Sequence, residues 1–128
     1  MFEMTVEGEF CAAHAIRIAG VREPNHGHNW RVVVTVRGRE LDADGLLCDF
    51  HEVERVLRAV IGPLHNGDLN AHAAFEAVNA SAEHVAKHIF DGVAAGLRGR
   101  LPAGAWVAGV RVTEAPGCAA SYLEERRP

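Results

Sequence analysis

The chain has 128 residues, 48% of them hydrophobic and 23% charged, which predicts a single globular domain (residues 1–128) that buries its own core. Its net charge of −4, with no basic cluster larger than Arg126-Arg127, argues against nucleic acid and anionic membranes as partners. The N-terminal residues resemble neither a signal sequence nor a membrane span, so we expect a cytoplasmic protein.

Two strands that form a long hairpin are predicted at the start of the chain. Residues 2–14 alternate between apolar and polar side chains, with Gly8 as a candidate bulge. The stretch 18–25 contains Gly20 and Pro24 and is typical of a connecting loop. A second alternating strand follows and ends at Gly38.

Two amphipathic helices are predicted in the middle of the chain. Asp49 can cap the first, Glu52 stands at the capping-box position, and Gly62-Pro63 ends the helical spacing. After a polar segment, Ser81 caps the second helix. The two apolar stripes consist of Phe50, Val53, Leu57, Val60 and Ile61, and of Val85, Ala86, Ile89, Phe90, Val93 and Leu97.

Alternation returns in the last part of the chain, where residues 106–114 and 119–124 predict two strands around a turn. The resulting order, ββααββ, implies an α+β fold in which a four-stranded antiparallel sheet carries both helices on one face. The opposite face has apolar positions such as Val33 beside charged ones. We therefore expect copies of the chain to close into a ring of sheets, which also removes free sheet edges.

Three of the eight histidines fall where two strands can bring them together. His26 and His28 lie two apart on a strand and share a face, and Gly27 leaves the space between them open. His14 has the matching parity on the partner strand. Three neutral imidazoles with a fourth position free fit a catalytic zinc site, although an isolated H-x-H pair is also found as two surface imidazoles. Solvated or half-buried side chains are expected for His51, His72, His84 and His88.

The three cysteines are odd in number and far apart in the sequence. Cys11, Cys48 and Cys118 form no C-x-x-C pair, which argues against a disulfide framework and against a cysteine zinc site. Buried free thiols are the expected state.

Six sequence blocks occur in order along nearly the whole chain. They are Phe10-Cys11-Ala12-Ala13-His14, His26-Gly27-His28-Asn29-Trp30, Gly45-Leu46-Leu47-Cys48-Asp49-Phe50, Leu69-Asn70, Asn79-Ala80-Ser81-Ala82-Glu83 and Val112-Thr113-Glu114. Together they resemble the signature of the 6-pyruvoyl-tetrahydropterin synthase and 6-carboxytetrahydropterin synthase family. The resemblance implies the tunnelling fold, in which trimers close a β-barrel and two trimers stack into a hexamer. It also implies Zn²⁺ on His14, His26 and His28 and a pterin substrate related to 7,8-dihydroneopterin triphosphate.

Glu114 matches the residue that anchors the pterin ring in this family. A carboxylate can accept two adjacent N–H donors of a pterin edge in bidentate fashion, which fixes the ring in one orientation. Glu114 also shares its strand parity with Val110 and Val112. The alternative is a solvated charge at the end of a strand.

The loop before His26 departs from the common family pattern. Most members have a cysteine there, whereas residues 22–25 contain none. Glu23, three residues before His26, resembles a subgroup in which glutamate replaces the cysteine and the side chain of dihydroneopterin triphosphate is cleaved to 6-hydroxymethyl-7,8-dihydropterin. Glu23 would then be the base of a retro-aldol step, the alternative being an exposed loop carboxylate.

A second departure affects the proton relay. Where the family has an Asp-His pair before Leu69-Asn70, this sequence has His65-Asn66. We predict His65 as the candidate relay, oriented by Asp68, without the usual paired carboxylate.

These residues leave three functions open. The first is a zinc-dependent lyase of dihydropterin side chains, and the second is a 6-carboxytetrahydropterin or 6-pyruvoyl-tetrahydropterin synthase with altered catalytic groups. The third is a pterin-binding protein without turnover. The resemblance further implies a homo-oligomer, a trimer or a dimer of trimers. It leaves open whether the pathway leads to folate, to a modified nucleoside such as queuosine or to a secondary metabolite.

Overall fold

Strands at the two ends of the chain enclose a helical middle in the structure, a computed structural model that describes residues 1–125; Arg126-Arg127 lies outside the described part. The strands are β1 (Phe2–His14), β2 (Arg17–Ile18), β3 (Val21–Arg22), β4 (His26–Gly38), β5 (Gly67–Asp68), β6 (Trp106–Ala115) and β7 (Cys118–Leu123). The helices are α1 (Phe50–Ile61) and α2 (Ala82–Gly96).

The long hairpin of β1 and β4 is confirmed. Its antiparallel register runs without a shift from Phe2, opposite Gly38, to His14, opposite His26. Gly8 therefore marks no bulge, which corrects the prediction. A Cβ added at Gly8 would lie 3.0 Å from a methyl group of Leu57, so the glycine instead lets α1 approach the sheet.

The main sheet has the order β5-β1-β4-β6-β7. The four long strands are antiparallel, as predicted, while β5 is a two-residue strand parallel to β1 that periodicity did not reveal. The inner face of β4 is fully buried and consists of Trp30, Val32, Val34 and Val36. Against this α+β sheet, α1 covers the β1 side and α2 packs on β6 and β7, where Phe90 contacts Tyr122.

The two helices pack closely because glycines of α2 face valines of α1. A Cβ at Gly96 would lie 2.5 Å from Val56 Cγ1, and one at Gly92 would lie 2.9 Å from Val60. The apolar stripe of α1 was predicted to include Phe50, but Phe50 is 53% exposed at the start of the helix. Val56, which was not in the predicted stripe, is buried instead. No helix within residues 1–125 combines the length and hydropathy needed to cross a bilayer.

Side chains cap both helices at the predicted residues. Asp49 accepts from the His51 amide and Ser81 accepts from the His84 amide. Within residues 1–125 Glu52 makes no capping-box contact, and its Oε1 instead lies 2.8 Å from both Arg55 and Arg100.

Two connections at the turn end of the β1–β4 hairpin, where His14 pairs with His26, hold more structure than expected. Where a loop was predicted over residues 18–25, β2 and β3 pair as a short hairpin that begins at Arg17. Its two turn residues, Ala19 and Gly20, have φ of 50° and 79°. The predicted polar segment 65–79 contains short 3₁₀ turns and buries Leu69 and Phe75. Both connections lie next to His14 and His26, and they build the surroundings of the site.

Candidate metal centre and active site

The register of β1 and β4 brings the three predicted histidines together. His14 is paired with His26, and His28 is paired with Ala12, two residues before His14. The ring centroids are 4.7 Å apart for His14 and His26, 4.7 Å for His26 and His28, and 5.2 Å for His14 and His28. Continuous strand pairing thus converts a sequence pattern into a cluster of imidazoles.

Backbone carbonyls fix the orientation of two of these rings. Nδ1 of His14 lies 2.7 Å from the Ala80 carbonyl oxygen, and Nδ1 of His26 lies 2.9 Å from the Pro24 carbonyl oxygen. A carbonyl only accepts, so each Nδ1 carries the proton and donates it. Both Nε2 atoms then carry a free lone pair. This Nδ1-protonated tautomer is the one that binds a metal through Nε2.

Two of the three Nε2 atoms are buried without a hydrogen-bond partner in the described part of the chain. Nε2 of His14 and Nε2 of His28 are buried and make no hydrogen bond within the described residues. Buried polar atoms without a partner are costly and uncommon. An orphaned pair of imidazole nitrogens that converge on one point fits a divalent cation of the zinc type.

Burial keeps His28 in the form that binds metals. The pKa of His28 is lowered from its ordinary value mainly by burial, with the neighbouring His14 and His26 adding to the effect and Glu114 opposing it. Because the neutral ring is favoured, the lone pair on this side chain is available at neutral pH.

Glu114 joins the histidines at the end of β6. Its Oε1 lies 2.8 Å from His14 Nε2 and 3.5 Å from His28 Nε2, although the shorter contact does not have hydrogen-bond geometry. One ligand atom from each of the four residues fits within 4.8 Å of the others. The residue predicted to anchor the pterin therefore borders the candidate metal centre directly.

Two adjoining cavities open beside this cluster. The larger, of about 540 Å³, is lined by Glu114, Thr113, Arg31 and Asn29. The smaller, of about 380 Å³, is lined by Cys11, Asn66 and Gly67, and both cavities share Gly27, His28 and Asn29. Glu114 thus has the histidines on one side and room for a ring-sized ligand on the other.

Glu23 also belongs to this neighbourhood. Its Oε1 lies 3.5 Å from Nε2 of His26 and accepts a hydrogen bond from the Ile16 amide at 3.3 Å. The side chain is 28% exposed. The loop carboxylate that the sequence left between two interpretations is therefore half-buried beside a candidate ligand.

His65 binds the backbone of Cys11, a residue that lines the smaller cavity. Its Nδ1 accepts a hydrogen bond from the Cys11 amide at 3.1 Å, so its ring proton is on Nε2. Asp68, which was predicted to orient His65, accepts instead from the Asn70 amide at 2.9 Å. The orienting partner of His65 is thus a backbone amide of β1.

The family model described as 6-pyruvoyl tetrahydropterin synthase matches residues 3–125. The chain belongs to this family. It is 34% identical over 102 residues to the 6-carboxy-5,6,7,8-tetrahydropterin synthase of Bacillus subtilis, a match that covers 75% of this chain and 68% of that protein. It is 33% identical to the 6-pyruvoyl tetrahydrobiopterin synthase of Poecilia reticulata over 60% of this chain and 54% of that protein.

Solved structures confirm that this family member has the tunnelling fold. The 6-pyruvoyl tetrahydropterin synthase of Caenorhabditis elegans superposes with a TM-score of 0.82 at 18% identity, over 97% of this chain and 96% of that one. A Plasmodium vivax 6-pyruvoyltetrahydropterin synthase in which alanine replaces a catalytic glutamate superposes at 0.78, with 20% identity and 98% coverage of both chains.

The other histidines of this tetrahydropterin synthase family member lie away from the cluster. His51 is 87% exposed, and His72 and His88 make an edge-to-face contact beside Phe75 with ring centroids 5.6 Å apart. His84 is exposed and donates to the Asn79 carbonyl at 2.6 Å. These positions agree with the expectation of solvated or half-buried side chains.

All three cysteines are free, as expected, but the expectation of burial holds only for Cys48. Cys11 is half-buried, and its thiol donates to the Asn29 side-chain oxygen at 2.8 Å. Cys118 is exposed on the edge strand β7.

Sequence reasoning missed the groups that orient the ligands. The acceptors for His14 and His26 are main-chain carbonyls, and a main-chain group has no residue signature. Asn70 and Asn79 carry side-chain amides that bind the segment after His14. Both asparagines stand in the blocks that resembled the family, which was the available signal.

Proposed function

We propose that this protein is a zinc-dependent lyase that cleaves the side chain of 7,8-dihydroneopterin triphosphate to give 6-hydroxymethyl-7,8-dihydropterin. The observation that carries this proposal is the Glu23 carboxylate, 3.5 Å from Nε2 of His26, in a loop without cysteine. The Plasmodium vivax relative described above also has a catalytic glutamate, which supports a glutamate base in this fold.

His14, His26 and His28 are the proposed zinc ligands. The orphaned Nε2 atoms and the carbonyl-bound Nδ1 atoms support this assignment. Zinc, when bound, would polarise a side-chain hydroxyl of the substrate and lower its pKa.

Glu114 is the proposed anchor for the pterin ring, with the cavity of about 540 Å³ as its binding space. Asn29, Arg31 and Thr113 supply further polar side chains there. Because Oε1 of Glu114 lies against the histidines, a bidentate contact with the pterin requires this side chain to turn towards the cavity. The pterin ring would then lie so that the side chain of the substrate is directed to the histidine cluster.

Glu23 is the proposed general base. It removes the proton of the hydroxyl on the second side-chain carbon, and that carbon becomes the carbonyl carbon of a triphosphate-bearing aldehyde. The bond to the first side-chain carbon breaks, its electron pair is delocalised into the pterin ring, and that first carbon then takes up a proton. His65 is the candidate donor, since its Nε2 carries the ring proton while Nδ1 accepts from Cys11.

A 6-carboxytetrahydropterin or 6-pyruvoyl-tetrahydropterin synthase is the second candidate. The 34% identity to the Bacillus subtilis 6-carboxy-5,6,7,8-tetrahydropterin synthase favours it. The half-buried Cys11 is hydrogen-bonded to Asn29 and lies away from the loop before His26, so Glu23 remains the better candidate for proton removal.

We further propose a homo-oligomer, either a trimer or a dimer of trimers. Within residues 1–125, β7 pairs on one side only, and the outer edge of β1 pairs with β5 only at Ala12 and Ala13. Two long free edges favour strand pairing between copies, because exposed edges otherwise promote aggregation. Light scattering coupled to size-exclusion chromatography should give a multiple of three chains, and a monomer would contradict the proposal.

One incubation tests the proposed reaction. Zinc-loaded protein receives dihydroneopterin triphosphate, and the products are identified by mass. We expect 6-hydroxymethyl-7,8-dihydropterin; a pyruvoyl or carboxy product would support the second candidate, and bound but unchanged substrate would indicate a pterin-binding protein. The Glu23→Gln variant should lose about 10²- to 10⁴-fold in kcat while retaining zinc. Glu40→Gln, at an exposed residue, is the matched control.

A further inference from the structure

Two asparagine side chains bind the backbone just after His14, the first candidate ligand. Each binds both the amide and the carbonyl of one residue, either Ala15 or Arg17. The Ala15 amide donates to Asn70 Oδ1 at 2.7 Å, and Asn70 Nδ2 donates to the Ala15 carbonyl at 2.9 Å. The Arg17 amide donates to Asn79 Oδ1 and Asn79 Nδ2 donates to the Arg17 carbonyl, both at 3.0 Å. Each asparagine thus makes the pair of bonds that a neighbouring strand would make.

Glu23 binds the residue between them in the same two-bond manner. The Glu23 amide donates to the Ile16 carbonyl at 2.9 Å, and the Ile16 amide donates to Glu23 Oε1 at 3.3 Å. Successive residues of an extended chain direct their backbone groups to opposite edges. Asn70 and Asn79 therefore occupy one edge of the segment 15–17, while Glu23 occupies the other.

The same contacts tie this segment to the candidate metal centre. Ala80, the residue after Asn79, accepts from Nδ1 of His14, and Glu23 Oε1 lies 3.5 Å from Nε2 of His26. The dipeptide Asn79-Ala80 therefore makes two contacts with this region. The Ala80 carbonyl binds His14, and the Asn79 side chain binds the segment 15–17, which also binds Glu23. If the hydrogen bonds of Asn70 or Asn79 were lost, the segment 15–17 could move, and the Glu23 carboxylate would move with it relative to the histidines.

We infer that Asn70 and Asn79 are positioning residues that set the place of the Glu23 carboxylate through the segment 15–17. This inference rests on the proposed function, in which Glu23 is the base. Their bonds go to the backbone of Ala15 and Arg17, so they act without touching the reacting atoms. A base displaced by about 1 Å can lose about 10²-fold in rate, so the expected effect is on turnover.

The test measures kcat, KM and zinc content for Asn79→Ala and Asn70→Ala in the zinc-loaded protein with dihydroneopterin triphosphate. Each variant should lower kcat by about 10- to 100-fold with little change in KM or zinc content. Asp42→Ala is the matched control, because it removes two side-chain bonds to backbone amides in a distant loop. Asn79→Asp keeps the acceptor for the Arg17 amide and should recover part of the rate, which separates positioning from a general loss of folding.

A double-mutant cycle with Glu23→Gln decides between positioning and a merely structural role. If the asparagines act through Glu23, Asn79→Ala should cause no further loss in the Glu23→Gln background. Additive losses, or an unchanged kcat in the single asparagine variants, would overturn the inference while leaving the proposed base intact. A fully active Glu23→Gln variant would overturn the base itself and the positioning role with it.

Discussion

Oε1 of Glu114 lies 2.8 Å from Nε2 of His14, and that nitrogen is buried without a hydrogen bond. The contact joins two functions that the sequence assigned to different residues, metal binding by histidine and pterin binding by the carboxylate. Four protein ligands would close a tetrahedral site, whereas three leave the open position that catalysis needs. Whether Glu114 binds the metal or the pterin is therefore the first matter to test.

The Glu114→Gln variant separates the two roles of this side chain. We expect zinc content to remain as in the wild type and KM to rise by about 10- to 100-fold, because charge-assisted hydrogen bonds to the pterin are worth about 1.5–3 kcal/mol. Metal analysis and steady-state kinetics on the same preparation give both quantities. Loss of zinc from the variant would instead identify Glu114 as a fourth ligand, and Glu40→Gln should change neither.

Substitution of the candidate ligands should remove the metal. We expect His26→Ala and His28→Ala to lose zinc by elemental analysis, whereas His51→Ala, at a histidine that is 87% exposed and outside the cluster, should retain it. Zinc should also raise the Tm of the wild type, since a ligand at 100 times its Kd stabilises the folded state by about 2.7 kcal/mol. Full zinc content in both cluster variants would contradict the assignment.

The histidine cluster could be predicted because strand alternation is a strong signal. His26 and His28 share a face whenever they lie on one strand, and the apolar parity of Trp30 and Val32 identifies that face as the inner one. The register between the strands then placed His14 opposite His26. The bulge predicted at Gly8 would have shifted this register, and its absence is what keeps the two histidines opposite each other.

The surroundings of the cluster could not be predicted in the same way. Short 3₁₀ turns around Leu69 and Phe75 lack a periodic pattern, so this segment was expected to be a polar connection. The contact of Glu114 with His14 depends on the placement of β6 beside β4, which a strand pattern does not fix in three dimensions. The carbonyl acceptors Pro24 and Ala80 depend on loop conformation alone.

The contact of Gly96 on α2 with Val56 on α1 gives a prediction about stability. Gly96→Ala would place a Cβ 2.5 Å from Val56 Cγ1, and a β-branched side chain in a helix has little freedom to turn away. Overpacking costs about 1–3 kcal/mol, which outweighs the gain of about 1 kcal/mol in helix propensity. We expect a net loss in the free energy of unfolding, measured by urea denaturation.

The Val56→Ala background tests the cause of that loss. Shortening Val56 removes the methyl groups that the new Cβ would meet, so Gly96→Ala should be neutral or stabilising in this background. An equal loss in both backgrounds would show that the helix contact is not responsible.

The stability of the folded chain should also depend on pH through His88 on α2. The pKa of His88 is lowered from its ordinary value of 6.5 mainly by burial, with the neighbouring His72 adding to the effect and Asp91 opposing it. As the pH falls through about 6.5, the unfolded chain takes up a proton at this position and the folded chain resists it. The contribution of His88 is thus fully present above this pH and declines below it.

His88→Gln removes the titrating group and should flatten this dependence. Urea denaturation at pH 8 and at pH 5.5 should show a smaller loss in the free energy of unfolding for the variant than for the wild type. His51→Gln is the control, because it removes a histidine that is 87% exposed on α1. The difference between the two variants is the decisive quantity. Equal slopes would mean that His88 takes up its proton as readily in the folded chain as in the unfolded one.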